Sequence, residues 1–154
     1  MAAQTQTDCF ICRKHRGEET VPGGAILDRR LVYVSHGYHD ELNPEPYLGH
    51  VVVEPKRHAP GVDDLTDEEA AAVGVSVARV ARALKRSEGA EHVYVAVIGH
   101  HTPHLHVHLI PRYPNTPREF WDPFRVDEAP GARRGGRGEA AEVAARVRAA
   151  LERA

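Results

Sequence analysis

The sequence predicts an α+β chain with five short strands, one long amphipathic helix and a second helix at the C-terminus. Three observations carry this. His104–Ile110 reads His-Leu-His-Val-His-Leu-Ile, and alternation over roughly four to eight residues is the period of a strand. Thr66-Asp67-Glu68-Glu69 is a capping box, with apolar residues at helical spacing behind it. Valine-rich runs bounded by glycine, proline or polar residues recur through the first hundred residues.

In chain order, Met1–Thr7 reads as a disordered tail. Cys9–Gly17 is short and basic, a turn or a short helix. Gly24–Asp28 and Leu31–Ser35 are two strands of a hairpin turning at Arg29-Arg30. His36–Pro46 is a polar loop. Tyr47–Glu54, with Val51-Val52-Val53 at its centre, is a third and well-buried strand. It carries Gly49-His50 at its start, and Pro55-Lys56-Arg57-His58 follows its end. The helix runs from its Thr66 cap to about Ser87, with Gly89 as its stop. Its inner stripe is expected at Ala70, Val73, Val77, Val80, Ala81 and Leu84. Glu91–Ile98 is the fourth strand. Only Gly99–Pro103 separates it from the fifth, so those two should be antiparallel neighbours. Pro111–Pro130 is irregular, with five prolines and the sole tryptophan, Trp121. Gly131–Gly138 reads as a flexible basic linker. Glu139–Arg153 is a last helix with Val143, Val147 and Leu151 on one face. Residues 1–130 thus form one domain. Residues 131–154 form a linker and helix expected to pack on that domain or on a partner, with Arg133, Arg134 and Arg137 as candidate phosphate contacts.

A length of 154 residues suits one domain with a real core. A formal charge of −2 supplies no general attraction to nucleic acid or anionic membrane. No apolar run reaches transmembrane length, and Met1–Thr7 lacks a signal-peptide core, so a soluble cytoplasmic protein is expected. Histidine is abundant: five of the 11 fall between His100 and His108.

A strand would set His104, His106 and His108 on one face, about 6.6 Å apart, and Leu105, Val107 and Leu109 on the other. Two chemistries suit such a file: metal binding, and nucleophilic or acid–base work at phosphorus or carbonyl carbon. One metal cannot easily serve all three, because about 13 Å of strand separates the outer pair while zinc–nitrogen bonds are about 2 Å. Cys9 and Cys12, in Cys-Phe-Ile-Cys, are spaced as half of a zinc site. With His58 and one triad histidine they would complete a closed four-coordinate structural site. A zinc-dependent hydrolase with metal on the triad, and a non-catalytic nucleotide-binding regulatory module, are the competing readings.

These residues resemble the histidine triad family. The resemblance rests on His104–Ile110, on Gly49-His50 with its apolar strand, on Pro55-Lys56-Arg57-His58, and on Pro111-Arg112 after the triad. Cys9 and Cys12 resemble the pair in its zinc-bearing bacterial members and in the related galactose-1-phosphate uridylyltransferases. The resemblance implies a five-stranded antiparallel sheet with a packed helix, and a homodimer with a continuous sheet. It implies hydrolysis or transfer of nucleoside monophosphates from substrates such as dinucleoside polyphosphates or nucleoside phosphoramidates, through a nucleotidyl-histidine. By position, His106 would be the nucleophile, His108 would donate to a phosphate oxygen, and His50 would support them. His104 would brace the triad and, with Cys9, Cys12 and His58, bind structural zinc. Asn43 falls near the ribose-binding position, one residue short of the usual spacing. Where many members have a longer glycine-rich loop, this chain has Gly99–Pro103, with His101 or Thr102 in the place of the phosphate-touching residue. A histidine, not glutamine, in the third place sets the chain apart from the uridylyltransferases.

Overall fold

The structure, a computed structural model, describes residues 8–37, 43–99 and 101–153. The expected N-terminal tail, part of the loop at His36–Pro46, and His100 lie outside the described residues. Five strands are present: β1 (Ala25–Asp28), β2 (Val32–His36), β3 (Val51–Pro55), β4 (His92–Val97) and β5 (Val107–Arg112). They form one antiparallel sheet in the order β1-β2-β3-β5-β4. The expected β1–β2 hairpin and the antiparallel β4–β5 pair are both there.

The alternation of strand side chains divides the sheet into two unlike faces. Val51 and Val53 of β3 and Val107 and Leu109 of β5 enter the main core, together with Leu105 just before β5. Two helices cover that face, α2 (Asp67–Glu88) and α3 (Arg137–Glu152). The opposite face carries His50, Val52, Glu54, His106 and His108 around one cavity, which the short helix α1 (Phe10–His15) borders through Phe10, Ile11 and Lys14. β2 and β3 are buried throughout.

The capping box of α2 forms as expected. Thr66 Oγ1 accepts from the Glu69 amide at 3.2 Å, and the Glu69 carboxylate accepts from the Thr66 amide at 2.9 Å. Gly89, in the left-handed region at φ 72°, ends the helix. The inner stripe differs at its first turn: Ala70 is exposed and Glu69 is buried. Arg57 donates to both Glu69 carboxylate oxygens at 2.8 Å, so an ion pair takes the inner position.

α3 begins two residues earlier than the sequence suggested and belongs to the core of its own chain. Val143, Ala144 and Val147 are fully buried beside Val80 and Leu84 of α2. The stretch before α3 is tied down, contrary to the flexible linker expected. The Leu48 amide donates to Arg133 O at 2.8 Å, and Arg134 bridges to Tyr47 and donates to Asp127. No helix among the described residues is long and apolar enough to cross a membrane.

Candidate functional site

The triad is not one continuous strand. β5 starts at Val107, three residues later than expected. The His104 amide donates to Thr102 O at 2.8 Å and the Leu105 amide to Ala59 O at 2.7 Å, which commits this backbone to a turn rather than to the β3 ladder. The correction removes the crowding problem of three imidazoles in file. His104 turns toward Cys9 and Cys12, while His106 and His108 line the open cavity.

His104 is fully buried, and its two ring nitrogens are assigned by their partners. Nε2 lies 2.8 Å from Pro55 O, which can only accept, so Nε2 carries the proton. Nδ1 is therefore a bare lone pair. It sits 3.5 Å from Cys9 Sγ and 3.4 Å from Cys12 Sγ. His58 Nδ1 lies 3.5 Å from Cys12 Sγ. One donor atom from each of Cys9, Cys12, His58 and His104 lies within 4.8 Å of all the others. Tetrahedral zinc with bonds of about 2.0–2.3 Å needs donors about 3.3–3.8 Å apart, so the set fits such an ion with a small contraction. The Pro55 carbonyl behind His104 is the kind of outer partner that fixes a ligating imidazole. Without a cation the cluster is uncomfortable. Burial and the hydrogen bond with Cys9 push the Cys12 thiol up to about 12, and burial pushes His104 down to about 4.

The second group runs along the open face. The His106 ring nitrogen Nδ1 lies 2.7 Å from His104 O. A carbonyl accepts, so Nδ1 carries the proton and Nε2 is free to attack. The His106 and His108 rings meet edge to face with centroids 4.8 Å apart. His108 Nδ1 is 2.9 Å from His50 Nε2. Burial lowers His50 to about 3, with neighbouring histidine charge adding to the effect. Burial and the charge of His106 lower His108 to about 4. Both are neutral near pH 7, so one proton is shared across this contact. β3 and its leading turn hold His50 in place. Tyr113 donates to Leu48 O at 2.7 Å, Tyr47 donates to Pro111 O at 2.9 Å, and the Gly49 amide donates to His36 Nε2 at 3.0 Å. Gly49 sits at φ 89°, where an added Cβ would collide with the Tyr113 hydroxyl.

His50, His106 and His108 open onto a cavity of about 430 Å³. Thr102 and Asn43 border it as well, whereas His101 is exposed and is not among its lining residues. A larger cavity, about 490 Å³, lies between β1 and α3 but holds no imidazole or thiol, so volume alone does not locate the chemistry. Arg133, Arg134 and Arg137 are not among the residues that line the triad cavity. They bond to Glu88, Asp127 and Thr20 respectively.

Sequence reasoning missed the support beneath this face. Lys14 Nζ donates to Glu54 Oε1 at 2.6 Å, and His15 Nε2 lies 2.9 Å from Glu54 Oε2. Burial works to raise the Glu54 carboxyl, but Lys14 and His15 outweigh it and hold the group below its ordinary range. The available signal was phase: Glu54 follows His50 by four residues on a strand and so shares its face.

The HIT domain, as a family, matches residues 41–115, a span that includes His50, His58 and all three triad histidines. Residues 41–115 form a histidine triad (HIT) domain. A crystal structure of a zinc-bound histidine triad family protein from Mycobacterium smegmatis superposes with a TM-score of 0.71 at 22% identity, covering 97% of this chain and 96% of that one. It shares the five-stranded HIT fold. The bis(5'-adenosyl)-triphosphatase of Dictyostelium discoideum is 35% identical over 77 residues, 46% of this chain and 52% of that enzyme. The asymmetrical bis(5'-nucleosyl)-tetraphosphatase of Schizosaccharomyces pombe is 35% identical over 77 residues, 46% of this chain and 42% of that enzyme. The matched stretch thus spans about half the length of these two relatives.

Proposed function

We propose that this HIT protein cleaves nucleotide substrates at the α-phosphate through a nucleotidyl-histidine on His106. The observation that carries the reading is the His106 tautomer: with Nδ1 committed to a backbone carbonyl, Nε2 is the bare nitrogen available to a substrate in the cavity. In the first step the His106 Nε2 lone pair forms the bond to phosphorus, and the bond from phosphorus to the leaving group breaks. A phosphate leaving group departs as an anion and needs no proton. In the second step water attacks the same phosphorus, His106 leaves, and a nucleoside monophosphate is released. Splitting the displacement in two makes each step easier. With His50 Nε2 donating to His108 Nδ1, His108 presents Nε2–H to a phosphate oxygen, a neutral donor aimed where charge accumulates. Thr102 is placed to touch phosphate and Asn43 to touch ribose, since both border the cavity. Hydrolysis rather than transfer is supported by the names of the two matched polyphosphatases.

The same reading places zinc on Cys9, Cys12, His58 and His104. Two sulfurs and two nitrogens complete a four-coordinate set and leave no open position for substrate or water. The ion would supply a fixed tie between α1 and the sheet, and the triad would work without it at hand. A metal on the triad itself is disfavoured by the direction of His104, whose free nitrogen faces the cysteines. A homodimer is supported by the sheet edge at β4, where Val95 and Val97 are about half exposed; pairing there would continue the sheet across two copies. A cytoplasmic setting is supported by two free cysteines suited to a metal site rather than to a disulfide.

The test is a panel of dinucleoside polyphosphates and nucleoside phosphoramidates read by product chromatography. Release of a nucleoside monophosphate from at least one class is expected. Binding across the panel with no turnover would replace the enzyme by a nucleotide-binding module.

A further inference from the structure

One part of the cavity wall is not used by this chemistry. The β3–β5 register pairs Val52 with His108, and Glu54, two residues further along β3, falls on the same face of the strand as Val52. Lys14 and Glu54 both line the cavity that the triad opens onto. Their side chains are only 4% and 2% exposed. A buried ion pair is weak support for a fold, because well-packed apolar residues of similar volume commonly do as well. A charged pair set into this wall therefore calls for another reason.

The two partners are not equally free. Both Glu54 oxygens are engaged, one by Lys14 and one by His15. Lys14 donates to Glu54 at 2.6 Å and to Ser35 Oγ at 3.4 Å. An ammonium has three donors, so among the described residues the wall takes two and leaves one. The Tyr33 ring centroid is 5.6 Å from Nζ, near the outer limit of about 6 Å for a cation–π contact, and does not compete strongly for it. The same cavity also has apolar lining from Phe10, Val21 and Val52. Apolar walls with one directed cationic donor suit a planar heterocycle that presents an acceptor.

We propose that Lys14 selects the nucleobase, favouring bases with an exocyclic carbonyl, guanine or uracil, over the amino bases adenine and cytosine. Guanine offers O6 and N7, and uracil offers a carbonyl at the corresponding edge. Adenine shares N7 with guanine, so the exocyclic group decides: adenine and cytosine put an amino group there, which would face Lys14 donor to donor. The inference rests on the nucleotide reading above and adds the substrate class.

The test is titration of the intact protein with GMP, AMP, UMP and CMP, comparing GMP with AMP and UMP with CMP. The carbonyl base of each pair is expected to bind about tenfold tighter. The double variant Lys14→Met/Glu54→Gln removes both charges together and should bring each ratio to within about twofold, with a melting curve run beside it. Equal affinities in the unaltered protein, or tighter binding of AMP and CMP, would overturn the inference and leave the nucleotide reading standing. Ratios that survive in a folded double variant would overturn the part given to Lys14. Should the double variant not fold, the ratios of the unaltered protein decide. Failure of all four to bind would overturn the nucleotide reading itself.

Discussion

At one end of β3 and β5 the histidines converge, and at the other they stand in file. His58 and His104 meet two cysteines within 4.8 Å, three of the four residues buried and His58 half-buried. His50, His108 and His106 instead line one wall of an open cavity, each touching the next. One residue type serves both ends, so the difference comes from the backbone. The turn before β5 swings His104 out of the strand, and its carbonyl in turn fixes the His106 ring. The comparison teaches that the cysteine–histidine cluster and the cavity histidines are two distinct groups joined at one peptide.

The sharpest way to test the separation is to damage one end at a time. His106→Asn should lower turnover on the order of ten thousand-fold, about 5.5 kcal/mol of transition-state stabilisation. Its melting curve should hardly move, because His106 faces away from the core side chains Leu105, Val107 and Leu109. Steady-state kinetics beside a thermal melt check both halves. More than about a tenth of the original turnover would sink the assignment.

Removal of α3 by truncation after Pro130 is the next largest effect. It strips Val143, Val147 and Leu151 from the core. At about 1.5–3 kcal/mol for each large aliphatic, the loss rivals the whole stability of an ordinary domain, about 5–15 kcal/mol. Circular dichroism of the truncated chain should show no cooperative transition. A normal melt would mean that α3 is dispensable.

Cys9→Ser should do the opposite of His106→Asn. It should lower the melting temperature and the metal content while part of the phosphoryl chemistry remains. Elemental analysis of the unaltered protein, purified without added metal, should find close to one zinc per chain. Less than about 0.2 would count against the site, allowing for partial loss.

Acid gives the smallest effect and should fall on the cavity end. His50 and His108 are pushed down to about 3 and about 4 by burial, while an unfolded histidine titrates near 6.5. Below 6.5 the unfolded chain therefore binds more protons, and stability falls as pH drops toward 4. The expected loss is on the order of a few kcal/mol in total. Denaturant midpoints that stay level from pH 7 to pH 4.5 would contradict the buried, neutral placement of these rings.

Much of this was legible in the sequence. The strands and the capped helix follow from period and caps, which are local signals; the cysteine spacing pointed to half of a metal site, and the choice of His104 as its partner came only from the resemblance to the family. The bend at His104 was not legible, because its cause is a backbone bond from Leu105 to Ala59, 46 residues away. Burial of Lys14 was hidden as well. Its sequence neighbours Arg13, His15 and Arg16 read as a solvated basic turn, and only its pairing with Glu54, 40 residues on, explains an interior lysine. The basic stretch before α3 looked free because composition reports flexibility and not the partners that remove it.

The central claim is that His106 becomes covalently nucleotidylated. It is tested most directly by quenching the protein in acid-free denaturant during turnover of a nucleoside phosphoramidate or dinucleoside polyphosphate, then measuring peptide masses. The account predicts that the peptide containing His106 gains one nucleoside monophosphoryl group, and that the gain is absent in His106→Asn. Rapid turnover with an unmodified His106 peptide at every time point, or the adduct on His50 or His108 instead, would contradict it.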